Sequence, residues 1–207
     1  MNHNKHFFGK FQKLQLNKII QTLTYSDSFV WGGYNMMNTV VAIYLEHKIA
    51  VNPLEAIAFG FSIFMFSRSV FQIPIAQFLD KQKSYIDESV AIFLGACLMS
   101  LGIFSFRFII FPWQLYFIQF LIGLGTSINL PAWRKTFANF VDKGHEGVEY
   151  SLYDVIICIS IAFFSSAGGY IVSKTQNFEL LFTLSAILIF IGGIISLFLL
   201  RSRKISS

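Results

Sequence analysis

Charge is scarce in this 207-residue chain: Asp, Glu, Lys and Arg make up 13% of it and hydrophobic residues 55%. The charged share is about half that of an ordinary soluble domain. Cysteine is scarcer still. Cys97 and Cys158 both fall inside long apolar runs, which excludes a disulfide framework and reads as small buried hydrophobes. The four histidines, His3, His6, His47 and His145, are scattered over tails and loops. His3 and His6 could share an ion in a helical tail, but nothing else supplies ligands, so no metal or other cofactor is expected. There is no Walker loop, nucleophile elbow or dinucleotide fingerprint, and the Gly123–Gly125 pair lies within an apolar run rather than in a phosphate cradle. The apolar runs contain no His and no clustered acids, so an intramembrane enzyme is not expected. The first 23 residues are basic and lack a short apolar core followed by a small-residue cleavage site, so no cleaved signal peptide is expected.

What the chain does have is six long apolar runs, at residues 24–45, 54–79, 89–106, 113–133, 151–173 and 178–200. Each is long enough to cross a hydrocarbon core of about 30 Å at about 1.5 Å per residue. With the N-terminus placed in the cytoplasm, the inner segments hold Lys5, Lys10, Lys13, Lys18, Lys81, Lys83, Arg134, Lys135, Lys143, Arg201, Arg203 and Lys204. The outer loops hold only Lys48, Arg107 and Lys174, and Arg68 falls within a run. That bias is the positive-inside pattern. The expected fold is an all-α membrane protein of six transmembrane helices with both termini inside. A basic segment, 1–23, precedes the 24–200 helical domain, and a basic tail, 201–207, follows it. The cytoplasmic loops account for the +5 charge, so nucleic acid is not an expected partner. The lipid bilayer is. Abundant Phe, Ile, Lys and Asn fit an AT-rich bacterial genome, and hence a bacterial inner membrane.

The runs differ in polarity. The third and sixth have no charge inside them and few polar groups, and can face lipid on all sides. The first carries Asp27, Asn35, Asn38 and Thr39; the second Ser67, Arg68, Ser69, Gln72 and Gln77; the fourth Gln114, Gln119, Thr126, Ser127 and Asn129; the fifth Tyr153, Asp154, Ser160, Ser165 and Ser166. Polar groups at depth must face protein or a water-filled cavity, so these four helices should enclose something. Asp27, Trp31, Tyr34, Asn35 and Asn38 recur at three- and four-residue steps and form one stripe. Asn35 lies about 16 Å from the cytoplasmic end at the helical rise, and Arg68 comes to a similar depth.

A central Arg costs about 2.5–3.5 kcal/mol to insert and needs compensation. Two readings of Arg68 stand. It bonds Asn35 or Asn38, or pairs with Asp27 or Asp154, and holds the bundle together; or it lines a cavity and attracts an anionic or zwitterionic substrate. Trp31, Asn35, Asn38, Gln72, Gln119 and Thr126 are the other cavity candidates. Asp27 and Asp154 are expected at helix N-termini, where unpaired N–H groups favour a carboxylate, with proton-carrying or gating roles as the alternative. Glycines 95, 102, 123, 125, 168, 169, 192 and 193 are expected to permit close helix contacts.

The segment Ala76-Gln77-Phe78-Leu79-Asp80-Lys81-Gln82-Lys83 resembles the loop after the second helix of major facilitator superfamily transporters. That motif runs Gly, three residues, Asp, Arg or Lys, any residue, Gly, then basic positions. Asp80 and Lys81 match; Ala76 and Lys83 replace the two glycines. The resemblance implies that Asp80, with Lys81, helps to latch a cytoplasmic gate. Gly123, Gly125 and Pro131 are similar to the family's fourth span, but Gln119 stands where its proton-linked Arg often does. Ala167-Gly168-Gly169 is similar to the antiporter motif without its Pro. The resemblance implies one six-helix half of a bundle that normally occurs twice around a central substrate site. The expected function is transport of a small solute by alternating access, as a parallel homodimer or a heterodimer with another half. The alternative is a non-transporting assembly or sensing protein, or a truncated transporter half.

Overall fold

The computed structural model describes residues 17–81 and 85–199. Among these residues seven α-helices follow one another: α1 Lys18–Asn38, α2 Val41–Lys48, α3 Pro53–Lys81, α4 Tyr85–Ser105, α5 Pro112–Phe140, α6 Glu146–Thr175 and α7 Phe178–Leu197, with a 3-10 turn at Phe106–Phe108. Their ends are written locally. Asn17 caps α1 by accepting from the Ile19 N–H at 3.0 Å, and Asn177 caps α7 by accepting from the Leu180 N–H at 2.9 Å. Pro53 and Pro112 open α3 and α5 without forfeiting a helical hydrogen bond. Gln114 Oε1 accepts from the Ile110 and Phe111 N–H groups at 2.7 and 2.9 Å, closing the turn into α5. Gln176, at φ 53°, ends α6 and donates its N–H to Val172 O.

Among the described residues five helices are long and apolar enough to cross a membrane: α3, α4 with the turn that follows it, α5, α6 and α7. The first apolar run is not one helix. It starts at Lys18, six residues earlier than the apolar pattern indicated, and breaks at Thr39–Val40 into α1 and α2. At the break, Val40 N–H bonds back only three residues, to Met37 O, and Thr39 Oγ1 sits 3.3 and 3.4 Å from the carbonyls of Asn35 and Met36. A hydroxyl competing for helical carbonyls next to β-branched Val40 and Val41 is what tightens the turn.

The helices form an open arc in the spatial order α6, α1, α7, α4, α5, α3. Small residues set the close approaches within it. A Cβ on Gly95 of α4 would lie 2.6 Å from Gly125 O of α5, and one on Gly192 of α7 would lie 2.6 Å from Ser26 O of α1. Gly123 meets Ser67 and Phe64 of α3, and Gly168 of α6 meets the Met36 carbonyl of α1. Ser26 Oγ donates to Gly192 O (2.7 Å), Ser100 Oγ to Ala186 O (2.8 Å) and Asn129 Nδ2 to Ile92 O (3.0 Å), tying α1 to α7, α7 to α4 and α4 to α5. Two apolar clusters fill the bundle. One surrounds Ile103, Phe106, Ile118 and Phe182, the other Ile20, Leu79, Ile92 and Phe137.

Two expectations about small residues are corrected. Gly169 makes no close contact, since a Cβ there would meet nothing within 4 Å. Cys158 is exposed rather than buried, while Cys97 is half-buried; both are free thiols. Both corrections fall on α6, which with α3 forms the ends of the arc and is little covered. Phe66 of α3 is 71% exposed and Phe163 of α6 is 67% exposed.

Candidate functional site

Of its three sides, α1 turns two to its neighbours. Ser26, Val30 and Gly33 meet α7, and Gly32 and Met36 meet α6. The remaining side is the polar stripe. Trp31 and Tyr34 pack edge to face at 5.8 Å, and Tyr34 stacks on Phe64 of α3 at 6.2 Å. Tyr34 also lies within electrostatic reach of Arg68. Arg68 is half-buried, and its Nε is 3.5 Å from Gln72 Oε1, a long hydrogen bond one turn along its own helix. The structure therefore gathers Trp31, Tyr34, Arg68 and Gln72 across the inner side of α1 and α3.

The pairings proposed for Arg68 are corrected. Among the described residues the ion pairs are Arg107–Glu179, Lys135–Asp80 and Lys135–Glu88. Asp27 and Asp154 are not among its partners, nor is Asn35, whose Nδ2 donates to Trp31 O at 2.9 Å within α1. Asn38 is exposed at the end of α1. A guanidinium carries five N–H donors, so one long bond to an amide leaves most of its hydrogen-bonding capacity open.

Asp27 and Asp154 are not helix N-terminal residues. α1 begins at Lys18 and α6 at Glu146, so each carboxylate sits in the third turn. Apolar periodicity places the start of a run, not the start of a helix that extends beyond it. Asp27 is 2% exposed and accepts a hydrogen bond from Tyr153 Oη of α6 at 2.5 Å. Asp154 is exposed. Of the α5 candidates, Gln119 is half-buried beside Gly60 of α3, and Thr126 is buried with its hydroxyl on Ile122 O of its own helix.

At the end of the bundle where α3 stops, Lys135 Nζ lies 2.5 Å from Leu79 O, 3.0 Å from Glu88 Oε1 and 3.9 Å from Asp80 Oδ1. It joins the ends of α3, α4 and α5. Asp80 and Lys81 are exposed; Gln82 and Lys83 lie outside the described residues. Sequence reasoning counted Lys135 only as an inside charge and passed over Glu88, although the Asp87–Glu88 pair just before the third apolar run was the available signal. It also passed over an aromatic bridge from α5 to α6. There Trp133 packs on Phe137 and Tyr153 at 4.9 and 4.6 Å, and Phe137 on Tyr150 at 4.4 Å. At the other end, Arg107 bonds Glu179 at 3.0 Å and lies near the rings of Phe104 and Phe108. Among the described residues no three His, Cys, Asp or Glu side chains gather within metal-binding reach.

Chemically, the inner side offers one underused cation, aromatic walls and amide groups, with a buried carboxylate held by a phenol nearby. That set is chemically suited to binding and orienting a polar solute. The sequence model of the family described as Major Facilitator Superfamily matches residues 27–207. A comparison with curated proteins returns no match.

Proposed function

The chain belongs to the Major Facilitator Superfamily, and from that premise we propose that it carries a small anionic or zwitterionic solute across the cell membrane by alternating access, as one wall of a paired assembly. The family consists of transporters, which agrees with a multi-pass membrane protein of transport rather than catalytic function. In this reading α1 and α2 together make a sixth crossing, with both termini on the cytoplasmic side as the positive-inside pattern indicates. The second wall comes from another six-helix half, and a second copy of this chain has the right orientation to supply it.

The observation that carries the reading is Arg68: half-buried on the inner side of the arc, within electrostatic reach of Tyr34, and bonded among the described residues by a long bond to Gln72. A membrane-depth cation that no carboxylate among the described residues neutralises is suited to a ligand's negative group. Asp80, 3.9 Å from Lys135 of the Lys135–Glu88 pair, takes in this reading the gate role that the family resemblance implies. Asp27 with Tyr153 and exposed Asp154 are the further gate candidates.

The test is uptake into proteoliposomes over a panel of carboxylate, phosphate and amino-acid solutes. Arg68→Ala is expected to insert normally and lose uptake of any solute the unaltered protein carries. Undiminished uptake would remove Arg68 from the site. Photobleaching of labelled protein in nanodiscs across a dilution series is expected to show two steps. A single step throughout would leave no second wall and turn the reading toward a non-transporting assembly or sensing role.

A further inference from the structure

A cleft of about 830 Å³ opens between α2 and the turn from α6 into α7, with Tyr44, His47 and Lys48 on one side and Asn177, Phe178 and Glu179 on the other. We propose that this cleft binds an organic anion, with its carboxylate or phosphate group on Lys48 and Asn177 and its apolar part on the rings of Tyr44 and Phe178. On the sidedness proposed above, it faces outward. Arg68 lies about 22 Å along α3 from that helix's first residue at the helical rise, so the cleft and the inner site are separate.

The few outer cations of the chain converge here. Apart from Arg68, Lys and Arg residues outside the cytoplasmic segments are limited to Lys48, Arg107 and Lys174. Lys48 lines the cleft, Arg107 bonds the lining carboxylate of Glu179 at 3.0 Å, and Lys174 directly precedes the lining residue Thr175. The Arg107 pair fixes the sign of the site. It engages the Glu179 charge, so that carboxylate is not left to neutralise Lys48. Among the described residues Lys48 is in no ion pair, and its Nζ stands 5.9 Å from the centre of the Tyr44 ring. An open ammonium beside a carboxylate that already has its cation suits an incoming anion.

The remaining groups are held by bonds of their own. Tyr44 Oη donates to Phe106 O at 3.2 Å, and its ring packs on Phe178 and Phe182 at 5.3 and 4.8 Å, so the floor is formed before a ligand arrives. Asn177 Oδ1 accepts from the Leu180 N–H at 2.9 Å to cap α7, which leaves its Nδ2 to donate. His47 Nδ1 lies 2.7 Å from Ile43 O. A carbonyl only accepts, so Nδ1 carries the proton. Nε2 then accepts from a ligand hydroxyl or, with a second proton, donates to the anion. A dissolved organic acid and the headgroup of an anionic phospholipid share this chemistry, and the test separates them.

Amine footprinting reads the site in the unaltered protein. In phosphatidylcholine nanodiscs, acetylation of Lys48 by an N-hydroxysuccinimide ester is followed by peptide mass spectrometry, with Lys143, exposed between α5 and α6, as the reference. Saturating benzoate is expected to slow labelling of Lys48 about threefold, as suits a modest exposed ion pair, and to leave Lys143 unchanged. Should benzoate have no effect, slowing confined to Lys48 in nanodiscs containing phosphatidylglycerol assigns the site to a lipid headgroup. No slowing in either lipid, or equal slowing of both lysines, overturns the proposal. Asn177→Asp keeps an acceptor to cap α7 but exchanges the Nδ2 donor for negative charge. It should abolish the protection with the melting temperature unchanged, and protection that survives it would remove the anion from the cleft. Arg68→Ala should leave the protection of Lys48 intact, so the cleft and the transport reading fail independently. Protection lost with Arg68 would mean that the ligand acts from the inner site, and would overturn the proposal.

Discussion

Between α4 and α5, Gly95 and Gly125 lie so close that a Cβ on either would sit 2.6 or 2.7 Å from the other's carbonyl oxygen. On α6, Gly169 follows Gly168 directly, yet one is open to 4 Å while the other is pressed against the Met36 carbonyl of α1. The same contrast holds for serines. In the centre, Ser26 and Ser100 donate across helices to Gly192 and Ala186. On exposed α3, Ser62 and Ser69 donate to Ala58 and Met65 of their own helix. Lipid tails give apolar helices no hydrophobic reason to associate, so packing and interhelical hydrogen bonds must do it. Where small residues meet another backbone they hold the bundle together. Where they meet nothing, they mark surface suited to a further helix.

Enlarging one glycine in each region tests that contrast most severely. Gly125→Leu should cost several kcal/mol and prevent stable folding, because the clash is with backbone and not with a movable side chain. Gly169→Leu should change the unfolding free energy of the isolated chain in detergent by no more than about 0.5 kcal/mol. Equal losses at the two sites would mean that α6 is already covered.

Lys135→Met comes next, at about 2–3 kcal/mol. It removes the ammonium 3.0 Å from Glu88, whose side chain is 2% exposed, and the partial exposure of Lys135 moderates the usual cost. Glu88→Leu combined with Lys135→Met should recover part of that stability in a denaturant or thermal series. The smallest effect separates the serines. Ser26→Ala should cost about 0.6–1 kcal/mol and Ser62→Ala almost nothing, because only the first hydroxyl leaves its helix.

Five of the crossings could be read from apolar length alone, because length against bilayer thickness is a property of each segment by itself. What depends on a neighbour could not. Nothing in the residues around Gly168 and Gly169 says which faces α1, and helical periodicity gives relative angles without naming the helix across. Glu88 and Lys135 were overlooked because charges at span ends were weighed as signs of sidedness, and their pairing needs the ends of α4 and α5 side by side. The break at Thr39 escaped because hydropathy is blind to a hydroxyl turning back on its own helix. Arg68 and the stripe on α1 were visible, since a polar residue inside an apolar run declares its own anomaly. The bond from Tyr153 to Asp27, 126 residues apart, was not.

The order of helices along the arc carries one more meaning. Counting α1 with α2 as the first crossing, it reads five, one, six, three, four, two. Exchanging each of the first three crossings with the one three places later gives the same series backwards. Three is an odd number, so a three-helix unit used twice in succession enters the bilayer from opposite sides. On the proposed count of six crossings, the helix order has the symmetry of an upside-down duplication, with α3 and α6 as corresponding members. A surface change tolerated on one edge has a structural counterpart on the other, and an insertion that shifts the register of either three-helix unit would tilt both edges out of match at once.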